Sequence, residues 1–114
     1  MPPWLKYVLA AVVILGFFAL RSLGKISSQR AHELVDGGAL LLDVRTPGEF
    51  ASGHIDGAVN IPVQELAGRL GELDDKQRDI VVYCRSGSRS AQAKRLLAAE
   101  GYASVHDLGG IGRW

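Results

Sequence analysis

The pattern of apolar and polar positions changes character near residue 28. Before it the apolar positions run together: residues 7–20 read YVLAAVVILGFFAL, with Gly16 alone outside the apolar set. Extended to Trp4 and Leu23, the stretch has about twenty residues, which as a helix matches the ~30 Å hydrocarbon core of a bilayer. Lys6 and Arg21 lie close enough to its ends to snorkel, and Trp4 and Tyr7 fall where an interfacial aromatic belt would be. A helix buried in a small soluble domain would carry a polar face, and this one has none. The pattern therefore predicts a single-pass transmembrane anchor over 1–24, a linker over 25–28 and a domain over 29–114. A cleaved secretory signal is the rival, but its one small-x-small site, Ser22-Leu23-Gly24, follows Arg21. Arg21, Lys25 and Arg30 on one side, against Lys6 on the other, favour a cytoplasmic domain at the membrane.

After residue 28 the apolar positions come in short blocks. Ser27 and Ser28 can cap a helix over 29–35, stopped by Gly37-Gly38. Residues 39–44 (ALLLDV) form a continuous apolar run ending at Asp43 and Val44, the pattern of a buried strand. Thr46-Pro47-Gly48 breaks it, and Pro47 can open a short helical turn to Phe50. A second strand is expected over 58–61 and a third over 79–83 (DIVVY). Between them, apolar residues at 63, 66, 67, 70 and 73 have helical spacing, and Asp74-Asp75-Lys76 reads as a solvated turn. A helix over 88–100, stopped by Gly101, and a last strand over 104–108 complete the order. Strands alternating with helices, each strand apolar throughout, predict an α/β domain with a small, mostly parallel sheet flanked by helices on both faces. Ligands in such folds bind at the carboxyl ends of the strands.

Composition sharpens this division. Residues 1–28 hold 18 of the 54 apolar residues, and the first acid is Glu33. From there on, nine basic and twelve acidic residues leave a mildly acidic domain. A near-neutral chain without a basic face is not expected to bind nucleic acid. The single cysteine, Cys84, excludes an intrachain disulfide and a Cys-rich zinc site. His32 and His106 lack metal-ligand spacing, so neither a metal nor a cofactor is expected.

The chemistry concentrates after the third strand, in Cys84-Arg85-Ser86-Gly87-Ser88-Arg89-Ser90. A cysteine at the mouth of a strand, before a helix N-terminus, meets successive backbone N–H groups and the positive end of the helix dipole. Arg85 and Arg89 add cations, and Ser86, Ser88 and Ser90 add hydroxyl donors. All of these favour thiolate over thiol. Gly87 supplies the backbone freedom a loop wrapped into an anion-binding nest requires. A cysteine ending a strand is often only a small buried residue, but an inert one does not need anion-binding neighbours. A phosphate-binding P-loop is excluded because Gly-Lys-Ser/Thr is missing.

Residues 41–62 (LLDVRTPGEFASGHIDGAVNIP), 80–90 (IVVYCRSGSRS) and 108–114 (LGGIGRW) together resemble a single rhodanese-like domain, covering 29–114. The resemblance implies a sulfurtransferase of the thiosulfate type. Cys84 would take a sulfane sulfur from a thiosulfate-like donor as a persulfide and pass it to cyanide or a thiol. Residues Arg85 to Ser90 would bind the substrate. Related phosphatases and arsenate reductases have five residues between cysteine and arginine, whereas four separate Cys84 from Arg89, a tighter cradle that favours sulfur. Arg85 directly after the nucleophile resembles the thiosulfate-using forms rather than those using mercaptopyruvate. The alternative is a tethered rhodanese-like binding module or persulfide carrier without efficient turnover. No partner protein is indicated.

Asp43 and Arg45 flank Val44 at the end of the first strand and are expected to support the site as an ion pair or turn contact. His54 could serve as a general base, but a thiolate needs none, so a hydrogen-bonded structural role is expected. Trp114 is expected to pack the final turn. Members of the family usually continue beyond this point with a helical segment, so either the chain is cut short after Trp114 or the domain is finished differently.

Overall fold

The computed structural model describes residues 2–22, 24–73 and 75–114; side chains over 17–22 lie outside the description. Helix α1 (Leu5–Ser22) is followed by α2 (Ser28–Asp36), β1 (Leu40–Asp43), α3 (Pro47–Ala51), β2 (Val59–Asn60) and α4 (Val63–Leu66). A 3₁₀ turn (Leu70–Glu72) leads to β3 (Ile80–Cys84), α5 (Ser88–Ala99), β4 (Val105–Gly110) and a last 3₁₀ turn (Ile111–Arg113). The four strands form one parallel sheet in the order β2-β1-β3-β4.

Side chains alternate across a strand, so the apolar runs divide into two cores. Leu42 and Val44 with Ile80, Val82 and Cys84 face one way and pack with Leu66, Ala93, Leu97 and Tyr102. Leu41, Val81 and Tyr83 face the other way and pack with Ala31, Leu34, Ile55 and Leu108. Helices on both faces explain why each strand is apolar throughout. Parallel strands bring Asp43, Cys84 and Gly110 to the same end of the sheet.

Local chemistry sets the element ends. Ser27 caps α2 by accepting from the Arg30 amide at 3.1 Å. Thr46 and Glu49 form a reciprocal capping box on α3, with Pro47 in its first turn. The helix expected over 63–73 is interrupted: α4 ends at Leu66, and the chain resumes as the 3₁₀ turn. Gly68 and Gly71, each costing a helix about 1 kcal/mol against alanine, account for the break. The Tyr102 hydroxyl donates to the carbonyl of Leu73 at 2.6 Å, satisfying an acceptor at the end of this broken segment. Asp74 of the expected acidic turn lies outside the described residues. The final strand runs on through Gly109-Gly110, beyond the expected 104–108.

The transmembrane anchor is not supported. Among the described residues, no helix is long and apolar enough to cross a membrane. Lys6 falls inside α1, and only fourteen residues separate it from Arg21 in the sequence. At ~1.5 Å per residue that is about 21 Å of helix, short of the ~30 Å core. The cytoplasmic placement drawn from the flanking charges presupposed a span and loses its premise. The cleavage candidate includes Leu23, outside the described residues. Trp4, just before α1, and Tyr7, Val8, Leu9 and residues 12–15 on it are exposed.

Residues 25 and 26, expected as linker, lie along β4. Lys25 pairs with Asp107 as a parallel bridge, and the Ile26 amide donates to the Asp107 carbonyl at 2.8 Å.

Candidate active site

Cys84 ends β3, and its neighbour in register on β4 is Gly110. The side chain is fully buried on the α5 face of the sheet. At Gly87 the backbone adopts φ 107°, a left-handed conformation natural to glycine, which turns its amide back toward the thiol. That amide donates to Cys84 Sγ at 2.9 Å. Burial pushes the Cys84 thiol up, but hydrogen bonds from the Ser90 hydroxyl and the amides of Ser90, Gly87 and Ser86 outweigh it. The net displacement is downward, toward thiolate. Ser90 is fully buried, and its single hydroxyl proton is shared between the sulfur and the Gly87 carbonyl, 3.1 Å away.

The two arginines part company. Arg85 is exposed and lines an open recess with Arg45, Glu49, Ser52, Gly53 and Ile111. Arg89 turns instead to α3, where it clamps Glu49 through two hydrogen bonds, Nη1 to Oε1 at 2.6 Å and Nη2 to Oε2 at 3.0 Å. This guanidinium, helped by the Thr46 amide, pulls the Glu49 carboxyl down to about 2. Arg89 is raised by the same hydrogen bond, and the Cys84 charge adds a smaller contribution. Its cation is therefore shared with a carboxylate rather than given wholly to the thiolate. Ser86 and Ser88 are exposed at the loop rim, beside Lys25 and Gly87.

Asp43 and Arg45 form a closed pair. Arg45 Nη2 and Nε donate to Asp43 Oδ2 at 2.7 Å and 3.0 Å, with both residues buried. Arg45 Nη2 also donates to the Gly53 carbonyl at 2.7 Å, tying the loop after α3 to the sheet. Its guanidinium lies 5.6 Å from the Tyr83 ring centre. Burial pushes the Tyr83 hydroxyl up to about 12, and that oxygen accepts from the Ile55 amide at 3.2 Å. His54 is exposed, stacked on Phe50 at 3.6 Å, with Nδ1 bonded to the Phe50 carbonyl at 2.8 Å. Neither Asp43 nor His54 shares a hydrogen bond with Cys84.

Glu49, Asp107 and Gly109 belong to this neighbourhood and went unnoticed in the sequence. Thr46-x-x-Glu49 is a capping-box spelling, which marks Glu49 as placed but not as the partner of Arg89. β4 carries a bulge: Asp107 pairs with Val82, and Gly109 pairs with Tyr83. Gly109 takes φ 92°, and its amide donates to Asp107 Oδ1 at 2.8 Å. Such a kink lets the end of β4 pass close behind the loop, and a Cβ at Gly110 would stand 2.8 Å from the Arg85 carbonyl. Among the described residues, no three His, Cys, Asp or Glu side chains are placed to hold a metal.

A parallel α/β sheet that presents one donor-wrapped cysteine at its carboxyl edge defines a class of cysteine-based group-transfer domains. The chain belongs to the rhodanese family: the family model for the rhodanese-like domain matches residues 27–114. It is 46% identical to a sulfurtransferase of Allochromatium vinosum over 88 residues, covering 76% of this chain and 79% of that protein. It is 39% identical over 71 residues to the thiosulfate sulfurtransferase PspE of Escherichia coli, covering 61% of this chain and 68% of that protein. Among solved structures, the human single-domain sulfurtransferase TSTD1 superposes with a TM-score of 0.66 at 30% identity, covering 80% of this chain and 91% of that one. The enzyme class is thus rhodanese-like sulfurtransferase.

Proposed function

We propose that the protein moves a sulfane sulfur from a thiosulfate-like donor to a thiol or cyanide acceptor through a persulfide on Cys84. The carrying observation is the buried thiol under the Gly87 amide, displaced toward thiolate by loop donors. The Cys84 thiolate attacks the outer sulfur of thiosulfate. The sulfur–sulfur bond of the donor breaks with its electron pair, releasing sulfite and leaving the Cys84 persulfide anion. An acceptor thiolate or cyanide then attacks the terminal sulfur, and Cys84 departs as thiolate. One transfer becomes two, with the same anion-holding loop serving both.

Within this reading Arg85, Ser86 and Ser88 at the rim receive the donor oxyanion. The amides of Ser86, Gly87 and Ser90 and the Ser90 hydroxyl hold the anionic sulfur. Arg89, through Glu49, fixes the start of α5, while Asp43, Arg45 and His54 support the neighbouring loop. Thiocyanate formation from thiosulfate and cyanide by the full chain, beside Cys84→Ser, tests the proposal. Turnover by the wild type and its loss in the variant are expected, with one added sulfur at Cys84 by mass spectrometry after thiosulfate alone. Thiocyanate no higher than in the variant would overturn it.

A further inference from the structure

Lys25 lies two residues before the family match begins at 27, yet its side chain reaches the back of the Cys84 loop. Its stem runs across two glycines of positive φ. A Cβ at Gly109 would meet Lys25 Cδ at 2.9 Å, and one at Gly87 would meet Lys25 Cε and Nζ at 3.4 Å. The ammonium ends 3.3 Å from Oδ2 of Asp107, which is nearly fully buried and whose other oxygen accepts from the Gly109 amide. The backbone at this point is tied down as well. Ile26 donates to the Asp107 carbonyl, and Arg113 Nη2 and Nε reach the carbonyls of Ile26 and Leu108 at 3.2 Å and 2.7 Å.

Gly87 is the residue whose amide contacts Cys84 Sγ. Its left-handed turn has no side chain of its own to cap α5, and the Ser90 hydroxyl holds its carbonyl from inside the helix. Lys25 occupies the space beside it. We propose that Lys25 is a positioning residue of the Cys84 loop, clamped by Asp107 and packed against Gly87 so that the Gly87 amide stays on the sulfur. Its contacts are to Asp107 and the two glycines rather than to Sγ, and it lines a recess with Ser86, Gly87 and Ser88 on the side of the loop away from Arg45 and Glu49. Besides Lys25, the charged groups around the loop are Arg85 at the rim, the Arg89–Glu49 pair between α5 and α3, Asp107 on β4, and Arg113, whose stem also crosses Gly109. Replacing Lys25 removes the ion pair with Asp107 and the packing of its stem on Gly87 and Gly109, and leaves the other pairs in place.

The assignment rests on Cys84 being the reacting thiol, as proposed above. It can be read without sulfur transfer, because Cys84 is the sole cysteine and iodoacetamide alkylation of the full chain reports one thiol. Alkylation rate against pH is measured for wild type, Lys25→Ala, Lys25→Met and Lys25→Arg. Lys25→Ala is expected to move the profile to higher pH and lower the rate at pH 7 about three-fold, the weakening of one among several hydrogen bonds to the sulfur. Lys25→Met keeps most of the stem but loses the clamp, so it moves the same way by less. Lys25→Arg, with stem and cation, restores the wild-type profile. A merely structural lysine would lower the melting temperature and leave the profile in place. A folded Lys25→Ala or Lys25→Met whose profile coincides with wild type, or an arginine that fails to restore it, overturns the assignment. Absent thiocyanate formation alongside a displaced profile would sink sulfur transfer and leave the role of Lys25 standing.

Discussion

The loops leaving β1 and β3 start from adjacent strands, at the same end of the sheet, and both begin with a buried polar residue. After β1, Asp43 is met at once by Arg45, and each charge is answered within hydrogen-bond distance. After β3, Cys84 is surrounded by amides and a hydroxyl, while Arg89 turns to Glu49 and Arg85 stays at the surface. One loop is electrically closed and serves to hold shape. The other gathers partial positive charge around an atom with no full counter-charge of its own, which favours an anion that can still react. The difference lies in what answers the charge, more than in burial, since Asp43 and Cys84 are both fully buried.

Three substitutions can break or sharpen this contrast. The largest effect is expected at Arg45. Replacing it with alanine leaves the buried Asp43 carboxylate with the residue 45 amide but without its counter-charge, costing ~3 kcal/mol in urea unfolding. A loss below ~1 kcal/mol, the range of an exposed pair, would mean the β1 loop is not electrically closed. Next comes Ser90→Ala, which removes the side-chain donor to Cys84. Losing one hydrogen bond to a charged group should slow alkylation at pH 7 by about ten-fold. An unchanged rate would leave the amides alone responsible for the lowered thiol.

The smallest effect is expected at Glu49. Its carboxyl stands at about 2 in the fold against an ordinary 4.5. The pair with Arg89 therefore adds stability that is fully present above pH 4.5 and is lost as pH falls toward about 2. Side chains 28% and 24% exposed limit that gain to below ~1 kcal/mol. Glu49→Gln should lower the melting temperature slightly at neutral pH and flatten its decline across that acid window. Parallel declines in the two proteins would show that Glu49 is not depressed by its partner. In the same variant Arg89 is left free, so the thiol profile should shift slightly to lower pH.

Much of this was legible in the residues. The apolar runs at 39–44 and 79–83 gave strands because only a buried parallel strand is apolar on both faces, and Ser27 and Thr46 spelled their caps. The Cys84 loop announced itself through the crowding of arginine, glycine and serine around one thiol. What the residues hid had two sources. Gly68 and Gly71 interrupt a pattern whose spacing is still helical, so periodicity overran propensity. The N-terminal run read as a span because its apolar count was extended past Lys6 and Arg21.

The remaining gap is one of pairing. Sequence by itself determined most of the elements, the two-faced core and the candidate thiol, because propensity, capping and alternation are local rules. It could not assign the charges. Arg89 and Glu49 are forty positions apart, and Lys25 and Asp107 are eighty-two apart. Only the parallel sheet order, which brings α3 beside α5 and residue 25 against β4, decided that Arg89 is shared with Glu49 and that Lys25 meets Asp107. Electrostatic energy depends on distances in space, and those exist only once the chain has folded.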